Sequence, residues 1–426
     1  MTVVLHVGHW ALNSACIALT MGLLGGTSFD VSVIVGGKAS LAAQTTIDFG
    51  LVIRTPMIEI TTIGAGGGSI ASVDRGGLLQ VGPESAGSMP GPACYGQGNE
   101  RPTLTDAHVV LGRINADKPI GGKLARLDAE AARRAIMTHV GDPLGIDVLK
   151  AAEAIVRVAD ARMAGAIRLV SIERGHDPSK FVGVPFGGGG ALHVSAIIKE
   201  IGLEVALVPR FPGVTSALGC VIADLRHDQV QTLNLLLDGL DIAALDHRMV
   251  AAGEEVRAVV SSAGAMIERI DLTFEFDMHY VGQTHTVAVP VPVTLQDGST
   301  GITSKVIKSA FETAYAASFS RLLSGLPVRI VSLRSAAIGR RPALDLSAFA
   351  PGPEATVEKA KQGTRPVWFD GAWLDTRIWS RLDLPVGAIV EAPAILEQPD
   401  ATIYIEPGLR GRVDKLGNLI VERVSK

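Results

Sequence analysis

Glycine is concentrated in three short runs of this chain, and each run stands where regular structure has to start or stop. The first, Gly25-Gly26-Thr27-Ser28-Phe29-Asp30, precedes a β-branched stretch at 31–35. The second, Gly64-Ala65-Gly66-Gly67-Gly68-Ser69, opens a long Gly-, Pro- and Ser-rich segment that reaches Gly98. The third, Gly187-Gly188-Gly189-Gly190-Ala191-Leu192-His193, lies between an apolar strand pattern at 181–186 and a helical pattern at 193–201. Ordering consecutive glycines costs more backbone entropy than ordering any other residues, so such runs need a neighbour or a ligand to hold them. The strand–loop–helix–strand succession from Phe181 to Val208 favours an α/β layer.

Each run admits two readings. The first can present N–H groups and the hydroxyls of Thr27 and Ser28 to a phosphate, or be a plain β-turn. No GK[ST] follows it, so it is not a Walker loop. The second run is either a ligand contact or a tight crossing of two backbones. The third leads into a helix N-terminus, where unpaired N–H groups suit an anion or nucleotide, or else it is a simple strand–helix turn.

Charge narrows the partners. Lys and Arg total 39 against 43 Asp and Glu, a net charge of -4, so no large cationic field exists to meet nucleic acid or an anionic membrane. Cys16, Cys94 and Cys220 are too widely spaced for a CxxC metal site or a disulfide framework, and are read as reduced cytosolic thiols. The apolar window Ala11–Leu24 is shorter than the ~20 residues a membrane-spanning helix needs. The expectation is a soluble, cytoplasmic protein.

Three domains are expected: an α/β core at 1–232, an α+β domain at 233–343, and a smaller β-rich domain at 344–426 where composition shifts to Pro, Gly and short β runs. The clearest helix is Leu149–Glu173, with Ala151, Ile155, Val158, Met163, Ile167 and Val170 mostly on one side and Glu153, Arg157, Asp160 and Arg168 elsewhere. Thr105 or Asp106 is a candidate helix cap, and His108 reads as a surface or core histidine rather than a metal ligand. Asp74-Arg75-Gly76-Gly77 has the look of a hairpin turn.

Long blocks of the chain resemble the hydantoinase A/oxoprolinase family. They are TTIGAGGGSIASVDRGGLLQVGPESAGSMPGPACYG (Thr61–Gly96) with TDAHVVLGR (Thr105–Arg113), and VPFGGGGALHVSAI (Val184–Ile197) with FPGVTSALGCVIADLRHD (Phe211–Asp228). The resemblance implies an actin/sugar-kinase-like, RNase-H-like α/β core, with ATP and Mg2+ as cofactors. It implies ATP-dependent opening of a cyclic amide such as 5-oxoproline or a hydantoin, by phosphorylation of the amide oxygen. The alternatives are a subunit of an acetone- or acetophenone-type ketone carboxylase, or a non-catalytic scaffold subunit.

Carried onto this sequence, the resemblance makes Gly25, Gly26, Thr27, Ser28, Gly66, Gly67, Gly68, Gly187, Gly188, Gly189, Gly190 and His193 the cofactor contacts. Asp30 becomes the candidate catalytic and magnesium-positioning residue. The family pattern also has a first Asp-x-Gly-Gly-Thr loop in an N-terminal half and an acidic residue where Leu23 stands here. The expected partners are therefore a hydantoinase B-type subunit, a chain supplying that half, and a small cyclic amide or ketone.

Overall fold

The computed structural model describes residues 18–42, 45–46, 51–53, 57–122, 124–173, 175–319, 321–323 and 325–424. The described residues form two compact units, one drawn from 1–40, 58–221 and 345–426 and the other from 41–57 and 222–344.

The strands used below are β1 (Ala18–Leu24), β2 (Phe29–Val35), β3 (Ser69–Val73), β4 (Leu79–Ser85), β5 (Val182–Phe186) and β6 (Val205–Val208). The second unit holds β7 (Leu225–Leu236), β8 (Arg269–Tyr280), β9 (Val287–Val291) and β10 (Val328–Arg340). The C-terminal stretch adds β11 (Lys361–Phe369), β12 (Ala372–Ser380), β13 (Ile389–Glu391), β14 (Ala394–Gln398), β15 (Ala401–Ile405), β16 (Leu409–Val413) and β17 (Leu419–Arg423). The helices are α1 (Leu104–Val110), α2 (Ala129–Ile136), α3 (Val148–Ile172), α4 (Val194–Ile201), α5 (Ile242–Ser261) and α6 (Ser304–Phe319).

The first unit is organised by one sheet in the order β13-β16-β17-β6-β5-β1-β2, continued by the short strand Lys38–Ala39. β1 and β2 form a hairpin closed by the first glycine run, with Leu24 opposite Phe29. β5 lies parallel to both β1 and β6. A meander running into parallel strands, with a helix crossing between them, is the layer arrangement expected of an RNase-H-like half. β5 is buried along its whole length, as a central parallel strand must be.

Helix α3 forms where expected. Asp147 caps it by accepting from the N–H groups of Leu149 and Lys150. Its Ala151, Ile155, Val156, Ala159, Met163 and Ile167 enter the main core beside Phe29, Val31 and Val33 of β2. The turn at 74–77 joins β3 to β4 as an antiparallel hairpin, with Gly77 at φ +80°. Residues 344–426 are β-rich, as read from composition. Their β13, β16 and β17 complete the first unit's sheet, and β11-β12-β14-β15 form a second, four-stranded one.

The second unit is a four-stranded antiparallel sheet, β7-β10-β8-β9, packed with α5 and α6 around Met249, Phe274, Phe276, Phe311 and Ile330. Asp241 caps α5. The boundary expected between 232 and 233 falls within β7, inside this unit, and the division falls after Val221.

Among the described residues no helix is long and apolar enough to cross a membrane. Half of the Ala11–Leu24 window lies outside the described residues, and its described half is β1.

Candidate functional site

The three glycine runs meet. A pocket of about 210 Å³ is walled by Gly25 and Gly26 from the first, Gly67 from the second, and Gly188, Gly189 and His193 from the third. The remaining wall is largely apolar: Leu24, Leu104, Ile114, Ile120, Leu124, Leu127 and Leu192, with Tyr95, Thr105 and His108 as its polar members. The whole pocket belongs to the first unit.

The structure separates the glycines by role. The second run lies backbone-to-backbone on the first: the Gly67 N–H donates to the Gly25 carbonyl at 3.0 Å and the Gly68 N–H to that of Gly26 at 2.5 Å. A Cβ on Gly66 would sit 2.5 Å from the Thr27 carbonyl carbon, and one on Gly68 would sit 2.8 Å from the Gly26 oxygen. The N–H of Gly66 is engaged too, with Ser69 Oγ at 2.8 Å. All three amides of Gly66–Gly68 are therefore internal. The crossing explains why side chains are absent there, and Gly67 alone of these three reaches the pocket wall.

In the third run Gly187 has φ +83° and donates to Pro212, while Gly189 donates to the Leu24 carbonyl at 3.3 Å. That bond ties the third run to the first. Gly26 and Gly188 both line the pocket, and their N–H groups make no hydrogen bond among the described residues. They are two backbone donors that the glycine side of this wall can offer a ligand.

Asp30 sits on β2 opposite Leu23, outside the pocket wall. Its Oδ1 accepts from Thr62 Oγ1 at 2.6 Å and its Oδ2 from Ser28 Oγ at 3.2 Å. Thr27 Oγ1 accepts from Ser85 at 3.3 Å. Thr27 and Ser28 likewise stand outside the wall. Among the described residues no three His, Cys, Asp or Glu come together as metal ligands. Magnesium bound mainly through phosphate oxygens and water needs only one or two carboxylates, so a lone Asp30 flanked by hydroxyls fits that ion.

A buried chain of titratable groups underlies the pocket. His193 Nδ1 lies 2.5 Å from Asp160 Oδ1, and His193 Nε2 lies 3.3 Å from His108 Nε2. The rings meet edge to face, 4.9 Å between centres. His108 and His193 are each 1% exposed and Asp160 6%. One proton bridges the two Nε2 atoms. If His193 is neutral, with Nδ1–H donating to Asp160, then His108 donates through Nε2 and its Nδ1 is a bare lone pair. If His193 is an imidazolium held by Asp160, His108 accepts and its Nδ1 carries hydrogen. That Nδ1 is buried and has no partner. Burial, then the adjacent His193 and the Arg113 charge, push the His108 pKa well below the usual imidazole value.

His193 was expected at the site. His108 was read as a core or surface histidine, and Asp160 was placed off the apolar face of its helix. Asp160 is in fact buried, four residues after Val156 and three before Met163, on the buried stripe. A carboxylate at that spacing was the available signal. The cap expected at Thr105 or Asp106 is instead Thr103, two residues earlier; Asp106 stands at the third helical position, closes a capping box with Thr103, and also accepts from the N–H groups of Ala93 at 3.1 Å and Cys94 at 2.7 Å. It thereby fixes the end of the glycine-rich segment against α1, the helix that carries His108.

The hydantoinase/oxoprolinase family model matches residues 1–229, and the model of the family's C-terminal domain matches 245–421. The chain belongs to the hydantoinase/oxoprolinase family. It is 34% identical over 412 residues to the caprolactamase subunit alpha of Pseudomonas jessenii, covering 94% of this chain and 58% of that one. It is 32% identical to the acetophenone carboxylase gamma subunit of Aromatoleum aromaticum, covering 95% of this chain and 56% of the relative. The chain thus spans little more than half the length of these relatives, both named as subunits.

Among solved structures, the ATP-dependent caprolactamase from Pseudomonas jessenii superposes with a TM-score of 0.74 at 32% identity, covering 97% of this chain and 60% of that one. Nucleotide-free acetone carboxylase superposes at 0.79 with 24% identity, covering 98% and 60%, a likeness of fold. The α/β class with a β-rich C-terminal region is the fold of these proteins.

Proposed function

We propose that this chain is a subunit of an ATP-dependent cyclic amide hydrolase of the cytoplasm. It would work with Mg2+, with a hydantoinase B-type subunit and with a chain supplying the other wall of the nucleotide cleft. The observation that carries the reading is the convergence of three glycine runs, distant in sequence, on one pocket that also holds the His108–His193–Asp160 chain.

ATP would supply the phosphoryl group that turns an inert amide oxygen into part of a leaving group. The chain's own residues position and exclude water. The unpaired N–H groups of Gly26 and Gly188 are placed to hold anionic oxygen at the wall, and Asp30 with Thr27 and Ser28 to orient magnesium beside the first run. The leucines and isoleucines keep the reacting carbonyl dry, where fixed donors act more strongly than in water. Phosphoryl transfer depends on positioning and charge stabilisation from all sides, so a companion wall is required.

The same uncharged wall would admit a small ketone, which keeps a carboxylase subunit as the second reading. Phosphate release is the test, measured on the complex purified from the native host with a lactam, and separately with acetone plus bicarbonate. Lactam-stimulated release is expected. Stimulation only by ketone with bicarbonate transfers the assignment to the carboxylases, and stimulation by neither removes both.

A further inference from the structure

Two arginines of the first unit meet at the turn 414–418, which joins β16 to β17. The ladder pair Val208–Leu419 brings the end of β6 to this turn. Arg210 follows two residues on, and its backbone N–H donates to Asn418 Oδ1 at 3.1 Å. Arg381 comes directly after β12 and is fully buried, with Nη2 donating to the Gly417 carbonyl at 2.6 Å. Arg210 packs on the same glycine: a Cβ built on Gly417 would lie 2.6 Å from Arg210 Nη1. Both guanidinium groups therefore reach one backbone position.

Most of their donors are unused. Nε and Nη1 of Arg381, and Nε and Nη1 of Arg210, are buried without a partner. The bonds the two groups do make go to neutral carbonyls, that of Gly417 and, from Arg210 Nη2 at 3.4 Å, that of Leu382. Asp414, whose charge reaches Arg381, already accepts three hydrogen bonds in its own turn, from the N–H groups of Leu416 and Asn418 and from Asn418 Nδ2. Glu354, whose charge reaches Arg210, is exposed to water, which screens it. Burial, and then the Arg210 charge, lower the Arg381 pKa to about 9, so it is still a cation at neutral pH. A buried donor left unmade costs more than an ordinary hydrogen bond gains, and like charges away from water repel strongly.

We propose that Arg210 and Arg381 form a binding site for one small monovalent anion of halide size. Two cations and one buried carboxylate leave a single positive charge, which one such ion neutralises. The unpaired N–H groups replace the water it gives up. The full burial of Arg381 favours a single-atom ion over sulfate or phosphate, whose double charge and four oxygens call for more donors. The ion would steady the 210–213 segment, from which the third glycine run hangs through the Gly187 N–H and the Pro212 carbonyl at 2.7 Å.

Thermal unfolding of the full chain tests the site, with chloride or bromide titrated into gluconate at constant ionic strength. A saturable rise in melting temperature is expected, roughly 5–10 °C at 100 times the midpoint concentration. A flat response overturns the proposal, and a response to sulfate or phosphate but not to halide overturns the charge and size argument. Arg210→Met removes two of the unpaired donors and should abolish the halide response; an undiminished response in the folded variant overturns the assignment to these arginines. The direct readout needs no variant. Crystals of the unaltered protein soaked in bromide should give an anomalous peak within hydrogen-bonding reach of both guanidinium groups, and no peak there refutes the site.

Discussion

Replacing His108 by glutamine tests the buried chain through the pH dependence of stability. In the unfolded chain this imidazole takes its proton near ~6.5. In the folded protein, burial, His193 and Arg113 hold its pKa well below that. Between the two values the unfolded state binds the extra proton, so stability is complete above about pH 6.5 and falls as pH drops toward the folded pKa.

The slope for one such group approaches about 1.4 kcal/mol per pH unit between the two pKa values. At ~2–4 °C per kcal/mol for units of this size, each pH unit in that window takes about 3–6 °C from the melting temperature. Glutamine offers an amide N–H to His193 Nε2 but does not titrate. Thermal unfolding of wild type and His108→Gln, followed in parallel from pH 7.5 to 5.0, should therefore converge as pH falls. The raised pKa of Glu275, which burial causes, and the carboxylates that titrate lower are common to both proteins and cancel in the difference. Parallel curves across this window would show that His108 is not held neutral by its surroundings, and the argument for a closed, low-dielectric pocket floor would fail with it.

Two further outcomes follow from contacts. Gly66→Ala puts a methyl 2.5 Å from the Thr27 backbone, whereas Gly26→Ala meets nothing within 4 Å. The first should lower stability by about 1–3 kcal/mol in denaturant unfolding, as overpacking does, and the second should leave it nearly unchanged. Burial drives the thiol of Cys94 far above its ordinary pKa and Asp106 adds to the shift, while Cys220 is exposed. Alkylation of the native protein near pH 8, read by peptide mass analysis, should modify Cys220 and spare Cys94 until denaturant is added.

Much of this was written in local sequence. The helix at 148–172 announced itself through apolar spacing and the 74–77 turn through paired glycines, while the start of α1 was read two residues late, its cap being Thr103. The function of Gly66 and Gly68 was not legible, because a ligand and a second backbone ask for the same missing Cβ. Only the three-dimensional crossing with Thr27 and Gly26 separates the two. The buried chain was hidden for a different reason. His108 and His193 are 85 positions apart and Asp160 lies between them on another helix, so no window of sequence holds the pair. The family resemblance, carried by long contiguous blocks, supplied the fold; the junction of those blocks needed coordinates.

The place of β17 in the first unit's sheet has a consequence for how the protein is made. Its Leu419 pairs with Val208 of β6, roughly 210 residues earlier, next to the parallel strands that hold the glycine runs. Contacts of such long range form late and slowly. During synthesis, β6 waits with an open edge while the whole second unit emerges from the ribosome, and that interval is when an exposed strand is open to mispairing with other chains.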